Sequence, residues 1–322
     1  MTFVPAKAFF NPAERGRLLP ADSPLRRRLP KLVQLSERIG RTAIRQYENL
    51  LPDRQCIERQ YRAFVGEPLD LEQPRLLSEK IQWLKLNDVT PLHTICSDKI
   101  RARDFVRERV GEEHLIPALL ISDSPRDVNP DTIRADRFAA KTNHDWGGVV
   151  LCRDRASFDW HAARAKLEAH LRTPFWKRFR ERAYKDIPRG IIVETFLEAA
   201  GGGLPKDYKI FCFHGEPLLI QVVDGRDGWP TWTMYDLDWA LLPVWRRGRP
   251  RTNSSHDRPA SLASMIEIAR KLSEPFRFCR VDLYDVDDRI FFGEIAFYPE
   301  AGYRPFEPME FERELGDMLR LD

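Results

Sequence analysis

The sequence predicts an α+β fold whose strands are grouped in hairpins. Between Gly190 and Tyr235 the chain reads as a run of short strands separated by turns. Near the C-terminus, two segments rich in β-branched and aromatic residues flank an acidic turn at Asp287-Asp288. Amphipathic segments of helical period precede and follow these strands.

Residues 1–50 differ from the rest of the chain in charge. They hold ten Lys/Arg and four Asp/Glu, a net of +6, whereas the other 272 residues hold 42 basic and 45 acidic residues, a net of −3. Residues 1–24 read as an irregular lead-in. Residues 25–64 read as helical with a break at Leu51-Pro52-Asp53, placing Leu32, Leu35, Ile39 and Ile44 opposite arginines that include Arg26–Arg28, Arg38, Arg41 and Arg45. The basic extension could attract a membrane surface or an acidic polymer, although a solvated arm is the commoner explanation.

Composition indicates a globular protein, with 43% hydrophobic and 31% charged residues. The five cysteines lie far apart, and none has the spacing of a zinc site, which favours a reduced, cytoplasmic setting. The N-terminus lacks the apolar region of a secretory signal, and no run reaches membrane-spanning length. We expect a cytoplasmic protein, with the inner face of the membrane as an alternative location.

Several helices are predicted before the first strands. Ser78-Glu79-Lys80 opens a short helix, and Ser97 is a suitable N-cap for a helix from Asp98 to Val110 that Gly111 ends. Lys99 would then lie in the first turn, where a cation opposes the helix dipole, so helix stability does not explain its position. Residues 115–121 follow as a strand.

A glycine-containing hairpin is predicted next. Residues 137–143 form a strand that carries Lys141, and Val149 to Cys152 form its partner. The loop between them contains His144, Gly147 and Gly148, and its backbone amides could close over phosphates. Glycine hairpins are common, and His144 alone is better explained as a hydrogen-bonded loop residue than as a catalyst.

The middle of the chain offers two charged features. Residues 156–183 read as a basic, solvated helix, and the strands that follow include one in which Asp207 and Lys209 share a face, usually an exposed pair. Residues 243–259 form a loop by composition. Its arginines are either solvated or able to bind a carboxylated or phosphorylated substrate, and they include Arg246, Arg247, Arg249 and Arg251. Helices at 261–273 and 309–319 complete the chain.

The C-terminal hairpin carries two carboxylates, Asp282 and Glu294, in otherwise apolar strands. A three-residue turn would pair Val286 with Ile290 and put the carboxylates on one face, together with Arg280, whereas a two-residue turn would put them on opposite faces. Converging hard oxygen ligands suit magnesium, which keeps water and substrate phosphates in its shell. The alternative is a structural salt bridge from Arg280 to Glu294.

With the hairpin, the lysine strand and the segment from Glu194 to Leu197 considered together, the chain resembles the ATP-grasp enzymes. It is most similar to the TupA-like branch, which is associated with teichuronopeptide and other surface-polysaccharide synthesis. The resemblance covers roughly residues 51–319. It is carried by the order and spacing of SEKIQWLKLND (from Ser78), SDKIRARDFV (from Ser97), AAKTNHDWGG, VETFL, DYKIFCFHGEP and VDLYDVDDRIFFGEIAFYPEAG.

The resemblance implies a nucleotide held between two α+β lobes with antiparallel sheets, behind a helical basic N-terminal extension. The implied divisions are residues 1–50 as the extension, 51–135 as an N-terminal helical region, 136–197 as the small lobe and 198–322 as the large lobe. The implied cofactors are ATP and Mg²⁺. The implied site residues are Lys99, Lys141, Gly147, Gly148, Glu194, Thr195, Leu197 and Asp207 for the nucleotide, Asp282 and Glu294 for the metal, and Arg280 and Lys209 for catalysis.

Two positions depart from the pattern of the family. Ala296 stands where many ATP-grasp enzymes have a metal-binding asparagine, so the second magnesium site would be completed by water or by Glu300, or be weaker. Asp145 lies in the glycine loop, where a carboxylate would repel a triphosphate, so we expect it to point away.

Three functions follow from the resemblance. The first is a carboxylate–amine ligase that forms an amide through an acyl phosphate, joining, for example, a uronic acid of a surface glycan to an amino acid or amino sugar. The second is a kinase of a sugar hydroxyl, and the third a non-catalytic module that binds polysaccharide or a synthase partner. Expected partners are ATP, an anionic glycan or carboxylated acceptor, and an amine. A peripheral association with the membrane or with a polysaccharide synthase is also expected. Nucleic acid is not expected, because basic residues outside the extension are balanced by acids.

Overall fold

A computed structural model of the chain describes residues 30–199, 201–252 and 255–322, and within it the side chains of residues 30–38 and 41 are not described. The predicted lead-in at residues 1–24 and Arg26–Arg28 lie outside the described residues. So do the side chains of Leu32, Leu35, Arg38 and Arg41, which the sequence assigned to the faces of the first helix.

Eight α-helices lie in the described part of the chain. In chain order they are α1 (Pro30–Leu50), α2 (Asp53–Val65), α3 (Leu77–Asn87), α4 (Pro91–Ser97), α5 (Ala102–Val110), α6 (Trp160–Leu171), α7 (Leu262–Ser273) and α8 (Met309–Met318). The break between α1 and α2 falls at the predicted Leu51-Pro52. No helix among the described residues is long and apolar enough to cross a membrane.

Eleven strands accompany these helices in the described residues. They are β1 (Ala118–Ser122), β2 (Phe138–Thr142), β3 (Val149–Cys152), β4 (Ile191–Thr195), β5 (Asp207–Phe213), β6 (Glu216–Asp224), β7 (Thr231–Tyr235), β8 (Trp245–Arg246), β9 (Phe278–Val286), β10 (Arg289–Ala296) and β11 (Phe306–Glu307).

The strands form two main antiparallel sheets. The small sheet has the order β1-β4-β2-β3, and the large sheet has the order β10-β9-β5-β6-β7. β8 and β11 pair separately. The α+β prediction with antiparallel sheets is confirmed, because hairpins such as β5–β6 and β9–β10 join their strands by turns too short for a parallel crossover.

Each sheet has its own apolar core. The large sheet packs against α3, α5, α7 and α8, with Ile210 and Val281 fully buried. The small sheet packs against α6 through residues that include Phe138 and Leu167. The opposite faces of these strands carry the charged residues of the hairpins, as the alternation of side chains along a strand requires.

Two predicted helices have different bounds. Residues 98–101 form a turn between α4 and α5, because the Asp98 carboxylate accepts hydrogen bonds from the Ile100 N–H (2.9 Å) and from the Asn143 side chain (2.8 Å). Lys99 therefore lies in a turn and not in the first turn of a helix. The basic helix predicted at 156–183 ends at Leu171, and short 3₁₀ turns follow Pro174.

Candidate active site

The β9–β10 hairpin brings Asp282 and Glu294 together by a route that the sequence did not show. The turn has two residues, Asp287 and Asp288, both with positive φ (54° and 61°), and it pairs Val286 with Arg289. This register alone would place Glu294 opposite Val281. A β-bulge at Gly293 shifts the pairing by one residue, so that Glu294 lies opposite Asp282.

Gly293 suits this bulge, because the facing strand approaches closely at this position. A Cβ there would lie 3.0 Å from the Asp282 carbonyl oxygen and 3.1 Å from the Tyr284 ring. A side chain here would therefore require the facing backbone or the Tyr284 ring to shift by a few tenths of an ångström.

Asp282 is the centre of a buried charge cluster. Its carboxylate accepts two hydrogen bonds from Arg280, from Nε at 2.6 Å and from Nη2 at 2.7 Å, and a third from Lys209. β5 pairs with β9 so that Lys209 lies opposite Asp282, and Lys209 Nζ also contacts Asp207 at 2.7 Å. The interpretation of Asp207 and Lys209 as an exposed pair is wrong, because Asp207 is only 4% exposed.

Arg226 adds a third cation to this cluster. Its Nη1 lies 3.4 Å from Asp207, and its guanidinium lies 5.2 Å from the centre of the Tyr284 ring. Burial would raise the pKa of Asp207, but Lys209 and Arg226 outweigh it and hold that pKa below its ordinary value. Burial would likewise lower the pKa of Arg280, which Asp282 raises instead.

The cluster is neutral as a whole. Asp207, Asp282 and Glu294 supply three negative charges, and Lys209, Arg226 and Arg280 supply three positive ones. Glu294 is the least engaged member, since its carboxylate lies 3.6 Å from Arg280 Nη2 and its side chain remains 33% exposed. The main partner of Arg280 is therefore Asp282, and not the Glu294 that the salt-bridge alternative named.

Asp282 and Glu294 fit a magnesium ion that is also bound by phosphate and water. Asp282 and Glu294 offer hard oxygens from paired positions, and no group of three or more His, Cys, Asp or Glu suited to a metal is found in the described residues. Two carboxylates suit an ion that takes the rest of its shell from phosphates and water. Asp282 would have to release Lys209 or Arg280 from one oxygen to bind it.

The small sheet supplies Lys141 and Glu194. Lys141 Nζ donates to Glu194 at 2.6 Å, and Arg103 from α5 contacts the other Glu194 oxygen at 3.2 Å. Burial would lower the pKa of Lys141, but Glu194 raises it, and the charge of Glu294 adds to this effect. Charges of the C-terminal hairpin therefore act on Lys141 of the small sheet.

The glycine loop is held by its own polar residues. The Asp145 carboxylate accepts hydrogen bonds from Thr142 Oγ1 (2.6 Å), from the Gly148 N–H (3.0 Å) and from His170 on α6. Lys99 donates to the backbone carbonyl of Asp145. The N–H of Gly148 is thereby taken, while the contact of Gly147 with a phosphate stays a prediction.

The family of the chain follows from its sequence as a whole. The family described as TupA-like ATP-grasp matches residues 79–320, which are 242 of the 322 residues. This chain belongs to the TupA-like ATP-grasp family. Its two antiparallel sheets, with helices on their outer faces, are therefore the two lobes of an ATP-grasp fold.

Solved structures of ATP-grasp ligases resemble this TupA-like chain at low identity. The Bacillus anthracis D-alanine–D-alanine ligase with ATP is 15% identical, with a TM-score of 0.36, over 63% of this chain and 54% of that one. The Bacillus licheniformis L-amino acid ligase is 14% identical, with a TM-score of 0.41, over 78% and 56%. A Chryseobacterium gregarium RiPP-associated ATP-grasp ligase is 10% identical, with a TM-score of 0.38, over 74% and 66%.

The TupA-like chain thus spans little more than half the length of the first two of these ligases. A search of curated proteins finds no match.

The predicted adenine segment lies at the end of β4. Glu194 is buried, and the Thr195 N–H donates to the Pro117 carbonyl at 3.0 Å, so this amide is taken in the structure. Phe196 is buried beneath two arginines, and Leu197 follows the end of the strand. Contact of this segment with adenine stays a prediction.

The second metal position has no ready replacement for the missing asparagine. Ala296 pairs with Arg280 in the hairpin. Glu300, the residue proposed to substitute, contacts Arg249 at 2.8 Å and Arg304 at 2.9 Å. Because both cations engage this carboxylate, water is the better candidate for completing a second site.

Three of the four arginines that the sequence suggested for an acceptor, in the loop at 243–259, are engaged within the protein. Arg246 is buried and lies 3.9 Å from the centre of the Phe306 ring. Arg247 binds Glu307 at 3.0 Å, and Arg249 binds Glu300. For Arg246, Arg247 and Arg249 the expectation of an anionic substrate is therefore corrected, because these arginines hold the 300–307 segment in place. Arg251 is exposed and lies 4.6 Å from the centre of the Trp245 ring.

Sequence reasoning missed two residues that the structure brings to the site. Arg103 holds Glu194, and Arg226 contacts Asp207. The sequence carried a weak signal for Arg103, which lies in the SDKIRARDFV stretch, and none for Arg226, which lies in a glycine turn after β6.

Proposed function

We propose that the chain is an ATP- and magnesium-dependent carboxylate–amine ligase. One observation carries the proposal: two buried cations, Lys209 and Arg280, both bind the Asp282 carboxylate. Glu294 lies beside them, 3.6 Å from Arg280. Cations beside a paired carboxylate set suit the transfer of a phosphoryl group to an acid and the stabilisation of the resulting acyl phosphate.

Each side chain of the site has a task in this proposal. Lys99 and Lys141 would hold the phosphates of ATP, and the end of β4, from Glu194 to Leu197, would hold adenine. Asp207 would bind the ribose, because its Oδ1 is buried and accepts no hydrogen bond from any residue in the described ranges. A ribose hydroxyl would supply the donor that this oxygen lacks.

Magnesium, bound by Asp282 and Glu294, would neutralise phosphate charge and orient the γ-phosphate. If Asp282 offered one oxygen to the metal, it would release Lys209 or Arg280 from that oxygen, and the released cation would be available for substrate. Arg280 would then steady the acyl phosphate while an amine attacks its carbonyl carbon, forming the amide and releasing phosphate. The acid we propose is a uronic acid of a surface polysaccharide, with an amino acid or amino sugar as the amine.

A kinase of a sugar hydroxyl is the second candidate, since the same nucleotide site would serve it. A module without catalysis is the third candidate. It is favoured by Ala296, which offers no oxygen to a metal, and by the Gly148 N–H, which already donates to Asp145. This module would bind glycan or a synthase partner without magnesium. All three candidates place the protein in the cytoplasm or at the inner face of the membrane.

Calorimetry of MgATP binding tests the nucleotide site. We expect binding by the wild type that requires magnesium and is lost in Asp282→Asn and in Lys141→Met. Asp288→Asn, an exposed change in the same hairpin, serves as the matched control. Product analysis then separates the candidates: an amide with free phosphate supports the ligase, a phosphoester the kinase. A folded wild type that binds no MgATP would leave only the non-catalytic module.

A further inference from the structure

Arg178 is a half-buried cation whose guanidinium is held by aromatic rings. It lies 5.2 Å from the centre of the Trp146 ring and 5.0 Å from that of Phe179. Within the described ranges, its guanidinium has no ion pair and no hydrogen bond to a side chain. An arginine that is partly desolvated and has no carboxylate partner can bind an anion, because its N–H groups remain available as donors.

The charges around Arg178 leave this position positive. Burial lowers the pKa of Arg178, the nearby charge of Arg45 lowers it further, and Glu181 opposes both. Burial raises the pKa of Glu181 itself to about 7, so at neutral pH this carboxyl supplies only part of a negative charge.

Arg178 also lies at one end of a row of aromatic rings that starts in the glycine loop. Trp146 belongs to that loop, and its ring centre lies 5.5 Å from that of Phe175, which lies 5.4 Å from that of Tyr184. Burial raises the pKa of Tyr184, and the charge of Glu294 adds to that increase. A row of aromatic rings thus runs from beside Arg178 to Tyr184, whose pKa the charge of Glu294 affects.

We propose that Arg178 binds an anionic group of the acceptor other than the reacting carboxylate, either a second carboxylate or a phosphate. Contact with Trp146 and Phe179 restricts the guanidinium of Arg178 before any ligand binds. Binding an anion through two hydrogen bonds would therefore cost little further side-chain entropy. The proposal rests on the ligase function, because an acceptor must reach the space between the glycine loop and the hairpin. It assigns to Arg178 the task that the sequence gave to the loop at 243–259.

The test uses the full chain saturated with MgADP and three matched probes: glucuronate, glucose 6-phosphate and glucose. Dissociation constants are measured by ligand-observed NMR. We expect the wild type to bind an anionic sugar more tightly than glucose, with glucuronate and glucose 6-phosphate telling a carboxylate site from a phosphate site. Arg178→Met should weaken that binding by about tenfold or more, as expected for the loss of a charge-assisted hydrogen bond. Arg178→Lys should retain part of it.

Lys177→Met is the matched control, because it removes an exposed cation from the neighbouring position and should leave every constant unchanged. Thermal unfolding of each variant confirms that it is folded. Equal binding of the anionic sugars by wild type and Arg178→Met would overturn the proposal. So would the absence of anionic-sugar binding by the wild type, or an equal loss of MgADP binding in Arg178→Met, which would assign the arginine to the nucleotide.

Failure of the ligase proposal gives different results: a kinase would still bind MgADP but form a phosphoester from ATP, whereas a module without a nucleotide site would not bind MgADP at all. If MgADP does not bind, the same sugar titrations of the nucleotide-free wild type and Arg178→Met test whether Arg178 binds an anion.

Discussion

Replacing Lys209 by methionine tests whether the buried cluster is built to exchange a lysine for a metal ion. Lys209 is 13% exposed, contacts Asp207 at 2.7 Å and donates to Asp282. Its removal leaves three carboxylates facing two cations, so a neutral cluster acquires a net charge of −1. Methionine keeps most of the volume of the lysine stem, so the change is mainly one of charge.

The magnitude follows from what the ammonium holds. Removing one partner of a buried, hydrogen-bonded ion pair costs about 3 to 5 kcal/mol. We expect the free energy of unfolding of Lys209→Met to fall by about this amount without divalent ions. Magnesium should then recover much of the loss, since an ion present at a hundred times its dissociation constant stabilises a folded protein by about 2.7 kcal/mol.

Urea unfolding with and without magnesium, in the absence of nucleotide, measures both effects. We expect a larger stabilisation by magnesium in Lys209→Met than in the wild type, because the divalent cation no longer competes with the ammonium for Asp282. Lys206→Met, just before the same strand, is the control and should unfold like the wild type. A Lys209→Met protein that is as stable as the wild type and insensitive to magnesium would refute this account of the cluster.

Two further predictions concern the glycine loop and a buried lysine. Gly148→Ala would place a Cβ 1.8 Å from Thr142 Oγ1, so we expect a loss of about 1 to 3 kcal/mol of stability and weaker MgATP binding. Urea unfolding and calorimetry measure these effects, and Gly201→Ala, whose Cβ meets nothing within 4 Å, should change neither. Burial lowers the pKa of Lys85 from 10.5 to about 7, so the unfolded chain binds more protons between these pH values and stability should rise with pH there. Lys85→Met should remove that rise in urea unfolding measured from pH 7 to 10, and an unchanged slope would contradict the assignment.

Much of the fold could be predicted because its signals are local. The predicted strand Val149–Cys152 and the turn at Asp287-Asp288 were correct, since alternation and turn residues act over a few positions. The predicted start of the helix at Asp98 was wrong, because Asn143, 45 residues away, holds the Asp98 side chain in a turn. Local capping signals carry no information about such a partner.

The site shows the same division. The sequence by itself determined which residues carry charge in apolar strands, namely Asp282, Glu294, Lys209 and Lys141, and that their order resembles an ATP-grasp protein. Only the tertiary structure decided which of them meet. The bulge at Gly293 puts the two carboxylates in register, and the pairing of β5 with β9 buries Lys209 against Asp282. Pairing between strands depends on contacts that are remote along the chain, and burial then makes each charge depend on partners that composition cannot show.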